Sequence, residues 1–175
     1  SAPLDFYGVN FYEPVRIAAP RPDLDTTGAL EIDLPEELPF APVLYPAEER
    51  TDFGWAIVPE ALTALLVGLR EDYPNMPPIV ITEGGASFHD APGPDGTVHD
   101  PRRIAYLDAH LRAVADAAAA GVDVRGYYVW SAFDNFEWAA GNQERFGLVY
   151  VDYATQERIR KSSWGWYRDV IAANA

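Results

Sequence analysis

The chain has 175 residues, 49% of them hydrophobic and none of them cysteine, so it can form one domain with a core and cannot use disulfides or thiolates. Its formal charge of −14 is expected to repel nucleic acid and anionic membranes, which favours a neutral or cationic small partner. No apolar run approaches the ~20 residues that a membrane-spanning helix needs, and the lack of cysteine fits the cytoplasm.

Three strand-then-helix units can be recognised along the chain. The predicted elements are a strand at 5–12, a proline-rich loop at 13–51, a helix at 59–73, a strand at 79–82, a helix bounded by Asp100 and Gly121, a strand at 124–130, a hairpin at 146–160 and a helix at 163–172. The predicted apolar stripes of the two long helices are Leu62, Leu65, Leu66 and Leu69, and Ile104, Leu107, Leu111 and Val114.

Alternating strands and helices indicate an α/β fold with a parallel sheet. Three units leave both edges of that sheet open, whereas a closed (β/α)8 barrel needs eight units and about 250 residues. We therefore expect residues 1–175 to form a single partial domain that an additional part of the barrel must close. The chain begins at Ser1 without an initiator methionine, and we interpret this as a boundary inside a longer protein.

A carboxylate, Glu83, follows the apolar strand at 79–82 directly. Active sites of barrel enzymes lie at the carboxyl ends of the strands. Alternation predicts that Ile79, Ile81 and Glu83 share one face, with the carboxylate pointing inward, and Gly84 and Gly85 would allow a sharp turn. Glu83 is therefore a candidate catalytic residue, although a glutamate that caps the turn would give the same pattern.

The segment W-S-A-F-D-N-F-E-W at 130–138 has an unusual composition for a loop. Aromatic rings stack on the C–H faces of sugars and carboxylates bind their hydroxyls, so the segment suits a sugar site. The alternative is a hydrophobic plug, but Glu137 would then be a buried and unpaired acid. Asn10 and Tyr12 are predicted to point inward beside Glu83, where a phenol would orient the carboxylate, unless the two residues merely satisfy each other in the core.

No cofactor or metal site is predicted. The three histidines, His89, His99 and His110, have no metal-ligand spacing and are expected at the surface or in loops. Glu83-Gly84-Gly85 lacks the lysine and the helix start of a phosphate-binding loop, which disfavours a doubly wound nucleotide-binding domain.

Four segments together resemble glycoside hydrolase family 1, the retaining β-glycosidases. They are L-D-F-Y-G-V-N-F-Y at 4–12, T-D-F-G-W-A-I-V-P-E-A-L at 51–62, I-V-I-T-E-G-G-A-S-F at 79–88, and G-Y-Y-V-W-S-A-F-D-N-F-E-W-A-A-G at 126–141, which continues into R-F-G-L-V-Y-V-D-Y at 145–153. The resemblance implies the C-terminal portion of a TIM barrel, its strands six to eight with their helices.

The resemblance also implies roles for individual residues. Glu83 matches the nucleophile and Tyr12 the tyrosine that orients it. The implied substrate-binding residues are Asn10 beside them, Glu137 and Trp138 at the sugar hydroxyls, Trp130 at the pocket floor, Phe146 at a wall of the glycone site and Trp55 at the aglycone side. A cis peptide between Trp130 and Ser131 is implied as well.

Two features depart from the family pattern. Gly84 stands where the family usually has asparagine, for which we expect an altered local backbone with activity retained. The T-x-N-E-P motif that carries the family's acid/base glutamate is missing from this sequence. The implied function is hydrolysis of terminal β-D-glucosyl residues, with the N-terminal part of the barrel as a required partner, and the alternative is a sugar-binding fragment without catalysis.

Overall fold

A three-stranded parallel sheet organises the structure. The computed structural model describes residues 3–27, 29, 35, 38–47 and 49–174. Its elements are β1 (Tyr7–Asn10), β2 (Arg16–Ala18), β3 (Ala41–Val43), α1 (Pro59–Asp72), β4 (Ile79–Gly84), α2 (Pro101–Ala119), β5 (Val124–Val129), a 3-10 helix (Trp138–Ala140), β6 (Val149–Val151), β7 (Arg158–Arg160) and α3 (Ser162–Ala173).

The strand order of the sheet is β1-β4-β5, and both pairs are parallel. Helix α1 connects β1 to β4, and helix α2 connects β4 to β5. The predicted parallel sheet with crossover helices is therefore confirmed. The predicted hairpin near the C-terminus is confirmed too, since β6 and β7 pair antiparallel.

Helices cover only one face of this sheet. The main apolar cluster joins side chains of the strands to α1 and α2, and its buried members are Val9, Phe11, Leu62, Leu66, Ile79, Ile81, Ala113, Ala117 and Val122. A second cluster lies around Phe88 and Leu107, against α3. On the opposite face Gly8, Asn10 and Tyr128 are exposed, so none of the described residues covers this side of the sheet.

The prediction of a continuous loop at 13–51 was wrong in part. Strands β2 and β3 form an antiparallel ribbon within it, with Ile17 opposite Pro42. A two-stranded ribbon tolerates Pro42 because it has no central strand that would require every backbone N–H. Prolines therefore concealed a pairing between segments that are more than twenty residues apart. The stretch from 30 to 34 lies outside the described residues.

The buried face of α2 also differs from the predicted stripe. Only Leu107 of the predicted residues is fully buried; the others are half-buried. The buried positions are Arg103, Tyr106, Leu107, His110, Ala113 and Ala117. Along α1, Leu62 and Leu66 are buried as predicted, but Leu65 is 39% exposed.

His110 contradicts the expectation of surface histidines. It is fully buried, its ring stacks on Tyr106 at 3.9 Å between centroids, and its Nδ1 lies 2.8 Å from the Tyr106 carbonyl oxygen. Burial lowers the pKa of this imidazole, so His110 is a neutral core residue. No helix in the described part of the chain is long and apolar enough to cross a membrane.

Candidate active site

An irregularity in β4 directs Glu83 toward the site. Val9 pairs with Ile81 but the next residue of β1, Asn10, pairs with Glu83, so β4 contains one extra residue at this point. The pairing of β4 with β5 shifts between Ile81 and Gly84 as well. An extra residue of this kind re-aims the side chains that follow it.

This bulge corrects the predicted orientation of the strand. Ile79 and Ile81 pack in the cluster with α1 and α2, whereas Glu83 faces a hollow at the carboxyl end of the sheet. The three side chains therefore do not share one face, because strict alternation ends at the extra residue. The inference that Glu83 lies at the active-site end of the strand does not depend on that alternation.

Tyr12 is placed to hold the Glu83 carboxylate. Its hydroxyl donates a hydrogen bond to Glu83 Oε2 at 2.7 Å. Burial, then the hydrogen bond to Glu83 and the negative charge of that residue, raise the pKa of the Tyr12 phenol far above its usual range. Tyr12 therefore stays protonated, and able to donate, throughout the pH range of most enzymes.

The hollow next to Glu83 has a volume of about 470 Å³. Its lining residues are Tyr12, Phe53, Trp55, Glu83, Trp130, Glu137, Trp138, Ala139, Ala140 and Phe146. Seven of the eight predicted site residues thus meet in one place. A larger cleft of about 980 Å³ lies along α1 and α2 and contains none of these seven, so volume alone does not locate the chemistry.

Asn10 is the predicted residue that does not line the hollow. Its Oδ1 accepts a hydrogen bond of 2.7 Å from the Thr82 hydroxyl on the uncovered face of the sheet. Thr82 precedes Glu83 directly, so Asn10 lies close to the site but contacts a different surface. A role for Asn10 at the substrate stays a prediction.

Glu137 is buried and accepts two hydrogen bonds, so it is not the unpaired acid that argued against a hydrophobic plug in this segment. Its Oε1 accepts hydrogen bonds from Trp130 Nε1 at 2.9 Å and from Asn135 Nδ2 at 2.5 Å. Both donors bind the same oxygen, and no described side chain donates to Oε2. Glu137 is therefore an oriented acceptor at the edge of the hollow.

Aromatic rings form one wall of the hollow. Phe146 is 1% exposed, and its ring lies 5.7 Å from Trp55 and 6.3 Å from Tyr12 between centroids. Phe53, which was not among the predicted site residues, packs 4.7 Å from Trp55 between ring centroids. The alternation of Phe53 and Trp55 around Gly54 was the available signal. Trp138 is 83% exposed and so forms an open rim.

The peptide between Trp130 and Ser131 is cis, as the resemblance implies. Trp130 is also held by its backbone, since its N–H donates to the Gly84 carbonyl at 3.0 Å. The carboxyl ends of β4 and β5 are therefore joined at the residue that follows Glu83.

A family model described as glycosyl hydrolase family 1 matches residues 1–175. The chain belongs to glycosyl hydrolase family 1. It is 42% identical over 171 residues to β-glucosidase A of Thermotoga maritima, and 44% identical over 176 residues to the bifunctional β-D-glucosidase/β-D-fucosidase of Bifidobacterium breve. These alignments cover 98% and 97% of this chain, but 35% and 37% of the relatives.

Solved structures of this family have the same fold over the matched region. The family 1 β-glucosidase from Thermotoga maritima superposes with a TM-score of 0.83 at 41% identity, covering 98% of this chain and 35% of that one. Its complex with deoxynojirimycin gives a TM-score of 0.84. These neighbours are TIM barrels, so the chain corresponds to about a third of such a barrel.

In this family 1 chain, buried ion pairs stabilise the loop that carries Glu137 and Phe146. Lys161 Nζ, with a fully buried side chain, binds Asp90 at 2.7 Å and Asp134 at 3.0 Å. Asp134 Oδ1 also accepts a hydrogen bond from the Gly147 N–H at 2.9 Å.

Arg103, on α2, forms buried ion pairs with Asp90 and Asp100. Asp100 precedes α2 directly, as predicted, but its side chain binds Arg103 and Ser163 and makes no capping hydrogen bond to the helix.

Replacing Lys161 by methionine should strongly destabilise the complete protein. Asp90 and Asp134 would lose a buried cation, and removing one partner from a buried pair typically costs ~3–5 kcal/mol. Burial and then the charge of Arg103 lower the pKa of Lys161, but its ammonium still neutralises two carboxylates. Denaturant unfolding measures the change. Arg112→Met, in an exposed pair with Asp108, is the matched control and should have no comparable effect.

Proposed function

We propose that this chain is the C-terminal part of a retaining β-glucosidase, comprising strands six to eight of its barrel, with Glu83 as the nucleophile. The observation that carries the proposal is the Glu83 carboxylate, which faces an aromatic-lined hollow at the strand ends and accepts the Tyr12 hydrogen bond. Its membership of family 1 and its likeness to named β-glucosidases support the same assignment.

The proposed reaction has two displacements. Oε2 of Glu83 accepts the Tyr12 hydrogen bond, so Oε1 attacks the anomeric carbon while the glycosidic bond breaks. A second carboxylic acid, ~5–5.5 Å away, protonates the leaving oxygen and then takes a proton from the water that releases the sugar. This acid/base is proposed to lie in the N-terminal part of the barrel, because the T-x-N-E-P motif is missing from the sequence.

The glycone is proposed to bind beside Glu137. The open Oε2 of Glu137 can accept from sugar hydroxyls while Trp130 and Asn135 fix its position through Oε1. Trp130, Trp138 and Phe146 offer apolar faces for the ring. Between Trp138 and Arg145 there is no lysine or arginine, which favours an unphosphorylated sugar.

The N-terminal part of the same barrel is the proposed partner of this chain. The uncovered face of the sheet exposes Asn10 and Tyr128, and Leu4 and Phe6 beside it are 64% and 52% exposed. A closed barrel would cover this face and both sheet edges.

Covalent trapping tests the proposed function. The complete protein is incubated with an activated 2-deoxy-2-fluoro-β-glucoside, whose fluorine slows hydrolysis of a glycosyl-enzyme, and the labelled peptide is sequenced by mass spectrometry. We expect one 2-deoxy-2-fluorohexosyl unit on Glu83. A protein that binds glucosides but forms no adduct and shows no turnover would instead be a sugar-binding protein.

Replacing Tyr12 by phenylalanine should lower kcat/KM by about 100-fold, the usual effect of removing one oriented hydrogen-bond donor from an active site. The ring would remain against Trp55 and Phe146, so the fold should be unchanged. Steady-state hydrolysis of an aryl glucoside measures the effect. Tyr73→Phe, at an exposed phenol beyond α1, is the control. Equal losses in the two variants would show that Tyr12 does not orient the nucleophile.

A further inference from the structure

Gly84 and Tyr127 are in direct contact next to the proposed nucleophile. A Cβ atom on Gly84 would lie 2.4 Å from the Tyr127 hydroxyl oxygen and 3.0 Å from its Cζ. Cβ atoms essentially never approach other heavy atoms closer than 3.0 Å. With Tyr127 in its observed position, only glycine fits at position 84.

Tyr127 is fixed in this position by its surroundings. Its side chain packs against both apolar clusters of the core, and its carbonyl oxygen accepts a hydrogen bond of 2.7 Å from Tyr167. Its hydroxyl group is buried and has no hydrogen-bond partner among the described residues. An unpaired buried hydroxyl is unfavourable. No hydrogen bond to a described residue therefore explains the position of the Tyr127 hydroxyl, which is in close contact with Gly84.

The backbone at Glu83 and Gly84 is held on its other sides. The Glu83 carbonyl accepts from Phe11 N at 2.9 Å, and the Gly84 carbonyl accepts from Trp130 N at 3.0 Å. These hydrogen bonds attach the bulge of β4 to the carboxyl ends of its neighbouring strands, β1 and β5. The Tyr127 ring contacts the bulge from the helix-covered side of the sheet. The ring therefore limits how far the bulge can move toward the core.

We propose that the Tyr127 hydroxyl is a steric stop that, together with the missing side chain at Gly84, sets the position of the Glu83 backbone and hence of its carboxylate. Tyr127 is then a positioning residue, since it acts through Gly84 and does not contact the hollow. This inference rests on the proposed function of Glu83.

A double-mutant cycle in the complete enzyme tests the stop. Gly84→Ala places a methyl group where the hydroxyl lies, and the displaced carboxylate should lower kcat by about 100-fold, as expected for a shift of about 1 Å, with a much smaller change in KM. Tyr127→Phe should lower kcat by only a few fold, as expected from looser positioning. In Gly84→Ala/Tyr127→Phe the 2.4 Å contact with the hydroxyl is removed and only the contact with Cζ at 3.0 Å remains, so kcat should recover in part, by roughly tenfold over Gly84→Ala.

Gly68→Ala is the matched control, because a Cβ atom at this position of α1 meets nothing within 4 Å and kcat should stay unchanged. The proposal is overturned if Gly84→Ala has normal kcat, or if the double variant is no more active than Gly84→Ala. If neither of the two variants that carry Gly84→Ala folds, Tyr127→Phe decides, and an unchanged kcat contradicts the stop. A wild-type enzyme without turnover or labelling at Glu83 would refute the proposed function, and the inference with it.

Discussion

Replacing Glu83 by glutamine is expected to lower kcat of the complete enzyme by roughly a thousandfold or more, because an amide keeps the shape of the side chain but is a far poorer nucleophile. Tyr12 would still find an oxygen to donate to, so the substrate should still bind. Hydrolysis of an aryl glucoside measures the loss. Glu60→Gln, at an exposed acid in the first turn of α1, is the control.

Removing the Glu83 side chain gives a second, more specific test of its role as nucleophile. Glu83→Ala leaves space for a small anion such as azide, which can attack the anomeric carbon from the same side as the missing carboxylate. Added azide should therefore restore turnover and yield a glycosyl azide of inverted configuration. Normal kcat in Glu83→Gln, or a product of retained configuration in Glu83→Ala, would contradict the role of Glu83 as nucleophile.

Residues 1–175 alone are expected to show no hydrolysis and no cooperative unfolding. In the part of the chain that the structure describes, the sheet has one uncovered face and two open edges. The second carboxyl group that the mechanism needs is proposed to lie elsewhere. A stable structure should require the N-terminal part, bound through an obligate interface of ~2,000 Å² or more. Assays of the purified chain with an aryl glucoside, and its thermal unfolding, measure both.

Co-expression with the N-terminal part provides the control for this prediction. Activity should appear only when both parts are present, and Glu83→Gln in residues 1–175 should remove it again. A soluble monomer of residues 1–175 that unfolds cooperatively and hydrolyses the substrate steadily would show that the partial-barrel interpretation is wrong.

The sequence predicted the features that depend on neighbouring residues. The three strand-helix units follow from local periodicity, and Gly121, with φ of +94°, ends α2 as expected for a residue without a side chain. The contact of Tyr12 with Glu83 followed from placing two parallel strand ends side by side. The convergence of seven site residues followed from the family motifs.

The missed features depend on partners that are distant in sequence. Arg103 and His110 occupy buried positions of α2, because Asp90 and Asp100 neutralise the first and Tyr106 stacks on the second. The extra residue in β4 could not be predicted either, since it is defined only by the pairing with β1 and β5. Hydrophobic periodicity contains no information about such pairings.

The charge network around Lys161 has a consequence for the behaviour of the site on heating. The free-energy cost of removing charged groups from water falls as temperature rises, whereas apolar stabilisation per unit area levels off. Within the loop between Trp130 and Gly147, Asp134 forms a buried ion pair with Lys161 and accepts a hydrogen bond from the Gly147 N–H. The contribution of this ion pair should therefore increase with temperature relative to that of the apolar contacts, and the stability lost in Lys161→Met should grow when unfolding is measured at higher temperatures.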